Sequence, residues 1–342
     1  MSNCELIHAE LQSSAVRSVN RRLVARNWLL GMQIVKFEQE GFHRAQYGDQ
    51  LIETLAKKLN IRGLSGTGLR LSRQFYLEFP IHQSLPDELV GEAAITSLTE
   101  LQADHAVNAV TSKFNLSWTH YVALLAISDR TERSFYETES KQSSWSVREL
   151  ERQVNSSLYE RLALSSNKAQ IKQITEAGQI VSKPTDLIKN PLVLEFLGLP
   201  EHASFSENDL ESAIINKLEH FMLELGKGFL FEARQKRFSF ENDHFYVDLV
   251  FYNRLLRCYV LIDLKIGKLA HQDLGQMQMY VNYFDRHVKL TDENPTIGIV
   301  LCKLKNDSLV ELTLPKDANI FATKYPNSRC KNPLWLDRCL TS

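Results

Sequence analysis

The sequence predicts an all-helical N-terminal domain followed by an α/β domain with a central mixed sheet. The first observation is a change in hydrophobic period: apolar residues recur at helical spacing up to about residue 161 and later give way to alternating, strand-like runs. The second is the order of the later elements (a helix, three strands, a helix and a further strand), which is typical of an α/β unit. The third is the length, because 342 residues suffice for two domains.

A polar stretch separates the two predicted domains. Residues 163–190 carry Gly178 and Pro184, and both residue types interrupt regular structure. We therefore expect a helical domain over residues 1–165, a linker over 166–190 and the α/β domain over 191–342.

Start and stop signals support the helices of the first domain. Ser146 and Glu149 form the S-x-x-E pattern of a capping box at the start of one helix. Another helix is expected to end before Pro80, which cannot continue it. The segment 63–68 predicts a turn between helices, with the turn of a DNA-reading helix-turn-helix as the alternative.

The second domain opens with a helix and three strands. Ser206 is a predicted N-cap for a helix that runs to Leu225, and the glycines at 226 and 228 end it. The remaining predicted elements are strands over 229–240, 245–253 and 257–265, a helix over 272–286 and a strand over 296–303.

Alternation along the second predicted strand separates its two faces. It predicts Phe245, Val247, Leu249 and Phe251 on one face and Asp248 on the other. The aspartate is therefore expected among the residues that point away from those four apolar side chains.

Composition places the chain among ordinary globular proteins. Apolar residues make up 44% of it, but no stretch approaches the roughly 20 apolar residues of a membrane span, and the N-terminus lacks signal-peptide features. Five cysteines without C-x-x-C spacing indicate neither a disulfide framework nor a zinc site. We expect a cytoplasmic protein with no membrane partner. Because Lys and Arg total 40 against 41 Asp and Glu, any nucleic-acid binding must use local basic patches.

Two aspartates are predicted to face each other on neighbouring strands. Alternation puts Asp263 and Lys265 on one face, and a turn centred on residues 255–256 places Asp248 opposite Asp263. Directly opposed residues lie about 4.5–5.5 Å apart. Carboxylates that close repel by roughly 4 kcal/mol at an effective dielectric of about 20. A bound Mg²⁺ would offset this repulsion, and an internal salt bridge to Lys265 is the alternative.

An acidic residue on the preceding helix is the third candidate. On a continuous helix from Ser206, Glu211 points toward the apolar stripe, whereas Glu219 and Glu224 fall away from it. An acid on a buried face needs a partner, which a metal site would supply, although a helix N-terminus also favours an anion. Glu219 stays open as the alternative helix carboxylate.

The order Glu211, Asp248, Asp263-Leu264-Lys265 on helix, strand and strand resembles the PD-(D/E)XK nuclease superfamily. The local wording is similar to the YhcG-like nuclease domain and its helical N-terminal domain. Together the similar segments span about residues 25–305. The segments that carry the resemblance are RQFYLEFP (73–80), LSWTHYVALL (116–125), WSVRELERQVNSSLYERL (145–162), LEHFMLELGKGFLFEARQKRF (218–238), FYVDLVFYNRLLRCYVLIDLKIGK (245–268) and GQMQMYVNYFD (275–285).

The resemblance implies a restriction-endonuclease-like fold and a role for each matched residue. Asp248, Asp263 and Glu211 would be metal ligands for Mg²⁺, with Mn²⁺ as a second candidate ion. Lys265 would orient the attacking water, and Gln276 matches a glutamine that such nucleases often carry on the next helix. Two departures are visible: Val247 replaces the proline of the eponymous motif, and Asp263 stands where many relatives have Glu.

Basic and aromatic residues supply candidate nucleic-acid contacts. Arginines of the first helix form two i,i+4 pairs, for which a solvated face is the alternative. A second basic pair lies on the strand before the candidate site, and Tyr280 on the later helix is a further candidate, with a core position as its alternative. The basic candidates are Arg17, Arg21, Arg22, Arg26, Arg234 and Lys236.

These features predict a Mg²⁺-dependent DNA endonuclease, acting in mobile-element processing, repair or defence. The alternative is a non-cleaving nucleic-acid-binding or assembly protein that retains the nuclease fold. A homodimer is favoured, because a double-strand break made with one site per chain needs two chains.

Overall fold

A computed structural model describes residues 3–40, 48–61, 64–81, 107–164, 174–179, 181–189, 191–199, 205–240, 242–315 and 317–326. The chain divides into two compact units, residues 1–151 and 152–342. The segment 163–190 falls within the second unit, and the domain boundaries given above stay predictions. Within the described residues no helix is long and apolar enough to cross a membrane.

Helices build the described part of the first unit. They are α1 (Asn3–Glu40), α2 (Gly48–Leu59), α3 (Gly66–Glu78), α4 (Trp118–Leu125), α5 (Arg130–Gln142) and the beginning of α6 (Val147–Asn155). The hydroxyl of Ser65 caps α3, and the helix ends at Glu78, which confirms the predicted stop before Pro80. The backbone N–H of Glu149 donates to the Ser146 hydroxyl, as the capping pattern predicts.

An aromatic cluster forms the core of this unit. The ring centroid of Phe75 lies 5.0 Å from that of Phe114, 5.4 Å from that of Trp118 and 4.9 Å from that of Tyr121. The indole N–H of Trp28 donates to the carbonyl of Phe79 at 2.9 Å, which gives a buried polar group its partner.

The second unit contains a mixed sheet, as predicted, with five strands where the sequence predicts four. Its strands follow chain order, with β1–β2 and β2–β3 antiparallel and β3–β4 and β4–β5 parallel. The described elements that complete the unit after α6 are α7 (Leu158–Leu164), α8 (Glu207–Asn216), α9 (Leu218–Leu225), β1 (Phe229–Phe240), β2 (Asp243–Asn253), β3 (Cys258–Lys268), α10 (His271–His287), β4 (Ile297–Leu304), α11 (Asp307–Thr313) and β5 (Ile320–Lys324). The sequence prediction missed α11 and β5.

The predicted single helix from Ser206 to Leu225 is wrong, because the structure breaks it at Lys217. This residue has φ −124° and ψ 30°, outside the helical region, and it separates α8 from α9. Ser206 caps α8 in a reciprocal capping box with Asp209. The break interrupts the helical repeat, so faces worked out for a continuous helix do not apply to α9.

Glu224 illustrates the consequence of this break. A continuous helix predicts Glu224 away from the apolar stripe, but its side chain is 0% exposed and accepts from Arg161 at 2.7 Å and from Arg152 at 3.1 Å. Burial raises the pKa of Glu224, but the charges of Arg161, Lys189 and Arg152 outweigh burial and lower the pKa to about 2. A buried charged network thus anchors α9.

The sheet carries a hydrophobic core on each face. Apolar residues of α8 and α9 pack on one face with Leu249 and Phe251, and α10 packs on the other face with Val250. Val247 and Phe245 pack on the α10 side, so the predicted common face for these two residues, Leu249 and Phe251 is wrong. The change of face occurs across Asp248.

Candidate active site

The candidate site lies where β2 and β3 separate. Their last paired residues are Leu249 and Ile262, which confirms the predicted register. One step further, the side chain of Asp248 enters the gap, and its Oδ2 accepts the backbone N–H of Leu264 at 2.8 Å. Beyond Leu249 and Ile262 the two strands no longer pair through their backbones. Asp248 and Asp263 lie together at this point.

Asp263 is the most perturbed acid of this group. It is 2% exposed, and burial together with the negative charge of Asp248 raises its pKa to about 7. Lys265 Nζ lies 2.9 Å from Asp263 Oδ2 and opposes the rise. Asp263 Oδ2 therefore has the Lys265 ammonium as its charged partner.

Lys265 is held as a cation between acids. Burial lowers its pKa, but the charge of Asp263 outweighs this and raises the pKa above its ordinary value. Glu207 contributes to the rise, and its Oε2 lies 3.8 Å from Lys265 Nζ. Sequence reasoning missed Glu207; its position one helical turn before Glu211 was the available signal.

Glu211 is the helix carboxylate that reaches this region. It is buried in the first half of α8, whereas Glu219 is exposed on α9. Arg234 Nε lies 2.7 Å from Glu211 Oε1, and Gln235 Nε2 donates to Glu211 Oε2 at 2.7 Å. The paired Arg234 is thus committed to an acid of the site.

Gln235 connects the helix to the aspartates. Besides Glu211, its Nε2 donates to Asp248 Oδ1 at 3.0 Å. Its backbone is left-handed, with φ 47°. In the sequence, Gln235 stands out only as part of the segment that resembles the nuclease family. Its contacts with Glu211 and Asp248 could not be predicted, because they depend on a β-bulge between Phe231 and Ala233 that changes the strand register.

Gln276 and Tyr280 lie on α10, one turn apart. The Gln276 side-chain amide donates to the Tyr280 hydroxyl. Burial, with contributions from the charges of Asp263 and Asp248, raises the pKa of Tyr280 to about 12. The tyrosine ring is 1% exposed and packs edge-on against Phe238, so it offers no surface for stacking on a base.

The other predicted basic contacts differ in exposure. Arg17, Arg21 and Arg22 are exposed on α1, and Arg17 pairs with Glu10 at 2.9 Å. Arg26 is partly buried, and burial lowers its pKa, so the predicted second basic ridge is not uniformly solvent-exposed. Lys236 on β1 lies 3.5 Å from Glu232.

The aspartate pair offers the oxygen ligands that a divalent cation takes, and the set of three carboxylate ligands stays a prediction. No cluster of three or more Asp, Glu, His or Cys side chains suited to a metal occurs in the described ranges, and Glu211 is held by Arg234 and Gln235. Mg²⁺ is typically bound by one or two carboxylates and keeps several waters. The buried carboxylate of Asp263, close enough to Asp248 to be affected by its negative charge, meets that requirement.

Comparisons with known proteins identify the family. The YhcG PDDEXK nuclease domain matches residues 185–335, and the DUF1016 N-terminal domain matches residues 4–161. The chain is 43% identical over 323 residues to a protein of Escherichia coli (strain K12), YhcG, to which its description ascribes a nuclease function; the match covers 92% of this chain and 86% of that protein. The chain belongs to the YhcG nuclease family. Its second unit has the PD-(D/E)XK fold, as the sequence predicted.

Two solved structures share a more distant likeness with this YhcG family member. A repair endonuclease from Pyrococcus abyssi is 17% identical, with a TM-score of 0.26, over 38% of this chain and 50% of that chain. The EndoMS–dsDNA2 complex gives 13% identity and a TM-score of 0.27 over 39% and 51% of the respective chains. This chain therefore matches about half the length of each, and scores this low carry no weight for function.

Proposed function

We propose that this YhcG family member is a Mg²⁺-dependent endonuclease that hydrolyses DNA phosphodiester bonds. The observation that carries the proposal is the group formed by Asp248, Asp263 and Lys265 where β2 and β3 separate. A pair of acids, one with a pKa raised to about 7, stands beside a lysine that stays protonated. Perturbed acids with a specific charge partner mark candidate catalytic sites.

Each residue has a distinct task in this proposal. Asp248 and Asp263 would hold Mg²⁺, which when bound neutralises the scissile phosphate and makes water more acidic. The Lys265 ammonium donates hydrogen bonds toward the attacking water and the charge that develops on the phosphorus oxygens. The hydrogen bond from the Leu264 N–H keeps Asp248 in one orientation, which provides the positioning that phosphoryl chemistry requires.

DNA as the substrate, and a homodimer as the active form, belong to the same proposal. The side chains of Arg234 and Lys236 on β1 are each 45% exposed despite their ion pairs, so they are suited to phosphates that flank the scissile bond. The exposed Arg17, Arg21 and Arg22 supply a second basic surface on α1. Both surfaces predict binding that weakens as salt rises.

A cleavage panel tests the proposal. Supercoiled, linear, branched and single-stranded DNA, with RNA as a further arm, are incubated with wild-type protein in Mg²⁺ or in EDTA. We expect Mg²⁺-dependent cleavage of at least one DNA form, loss of cleavage in Asp248→Asn with DNA binding retained, and wild-type rates in the exposed control Asp317→Asn. Salt-dependent binding without cleavage of any form would instead support the non-cleaving alternative, and cleavage of RNA alone would refute DNA as the substrate.

A further inference from the structure

We propose that Gln235 is a positioning residue of the candidate site, whose side-chain amide, anchored on Glu211, fixes the orientation of Asp248 for a divalent cation. The inference rests on the proposed function, because it assumes that the site binds such a cation. It assigns a role to a residue that is neither an acid nor a base.

The side-chain amide nitrogen of Gln235 has two hydrogens, and each donates a hydrogen bond to a carboxylate. Nε2 lies 2.7 Å from Glu211 Oε2 on α8 and 3.0 Å from Asp248 Oδ1 on β2. A single NH₂ group therefore joins two carboxylates that would otherwise repel each other. Because Asp248 Oδ2 accepts from Leu264, both oxygens of Asp248 have a fixed donor.

The backbone of Gln235 is unusual at this position. Of the described non-glycine residues with positive φ, it is the one that lies inside a strand, with φ 47°. Its neighbours Arg234 and Lys236 pair with Leu249 and Val247, so Gln235 lies directly opposite Asp248. A glutamine rarely adopts this conformation, and such strain is typical of functional sites.

Positioning partners of this kind have a known effect on metal binding. Groups that hydrogen-bond the carboxylate ligands of an ion typically change its affinity by about 10–100-fold when they are removed. The mechanism here is orientation, because Gln235 holds one oxygen of Asp248 while the Leu264 N–H holds the other. We therefore expect the amide to act on cation affinity through Asp248.

Two substitutions of Gln235 test the loss of its side-chain amide without adding backbone strain. Gln235→Gly and Gln235→Asn both accept a positive φ more readily than glutamine, so neither strains the strand. Glycine lacks the amide, and asparagine is one methylene too short to reach both carboxylates. Gln278→Ala is the matched control, because Gln278 on α10 bonds Asn282 at 3.2 Å.

The measurements are Mn²⁺ affinity by calorimetric titration without DNA and the melting temperature in EDTA. We expect both Gln235 variants to bind Mn²⁺ about 10–100-fold more weakly than wild type while they keep its fold by circular dichroism, with Gln278→Ala unchanged. Wild-type affinity in both variants would overturn the inference, whatever their melting temperatures, because a purely structural residue changes stability and leaves affinity alone.

Wild-type protein and Asp263→Asn distinguish this inference from the proposed function. If wild type binds Mn²⁺ and Asp263→Asn does not, the cation site stands, and the Gln235 variants alone decide the inference. If wild type binds no Mn²⁺, the cation site and the role of Gln235 both fail.

Discussion

Replacing Asp263 by Asn should stabilise the metal-free protein at neutral and alkaline pH. The acid is 2% exposed beside Asp248, and these surroundings raise its pKa from 3.8 to about 7, so the folded protein favours the neutral form of this side chain. Asparagine has nearly the same shape and is neutral at every pH. Its substitution therefore removes a charge that the folded state opposes.

The size of the effect follows from the two pKa values. A rise from 3.8 to about 7 corresponds to a penalty of about 4 kcal/mol once the group is ionised in both states. The penalty is absent below pH 3.8, grows between pH 3.8 and 7, and is constant above pH 7. At pH 5 it amounts to about 2 kcal/mol.

Scanning calorimetry in EDTA at pH 5 and pH 8 measures this difference. At pH 8 we expect Asp263→Asn to melt on the order of 10 °C above wild type, with a smaller gap at pH 5, and no change for Asp317→Asn. Mg²⁺ should then raise the melting temperature of wild type and leave that of Asp263→Asn unchanged. An Asp263→Asn variant no more stable than wild type at pH 8 would refute the account of a strained acid pair.

Three further changes test other parts of the structure. Glu224→Gln should lower the free energy of unfolding by about 3–5 kcal/mol in urea titrations, because it leaves Arg161 buried without its anion, whereas the exposed Glu219→Gln should change it by less than about 0.5 kcal/mol. Gly298→Ala should cost about 1–3 kcal/mol in the same titrations, because its Cβ would lie 2.6 Å from Met277 Cγ. Lys265→Met should raise the pKa of Asp263 further, since the lysine charge lowers it; carbon-13 NMR titration measures that pKa, and an unchanged value would contradict the ion pair.

Local sequence rules predicted most of the sheet and the meeting of its two aspartates. A turn at residues 255–256 fixed the β2–β3 register, and hydrophobic period located β1–β4 and α10 within a few residues. These features depend on neighbours in the chain, which a sequence displays directly. This register alone predicts that Asp248 lies beside Asp263, at the end of the β2–β3 ladder.

The features that escaped prediction depend on tertiary contacts. No Gly or Pro marks the helix break at Lys217 in the sequence. After this break, Glu224 is buried and forms ion pairs with Arg152 and Arg161. The left-handed backbone of Gln235 is equally invisible, because glutamine carries no preference for positive φ. The face of Val247 changed for a related reason, since the bulge and twist next to Asp248 interrupt simple alternation.

The most direct test of the central claim is the rate at which supercoiled DNA is nicked as Mg²⁺ is titrated, with wild type and Asp263→Asn compared at equal folded concentration. If Asp248, Asp263 and Lys265 form one cation-dependent hydrolytic site, wild-type nicking rises with Mg²⁺ and stops in EDTA, and the variant stays at background throughout. Equal nicking by the two proteins, or nicking by wild type that persists in EDTA, would contradict the claim.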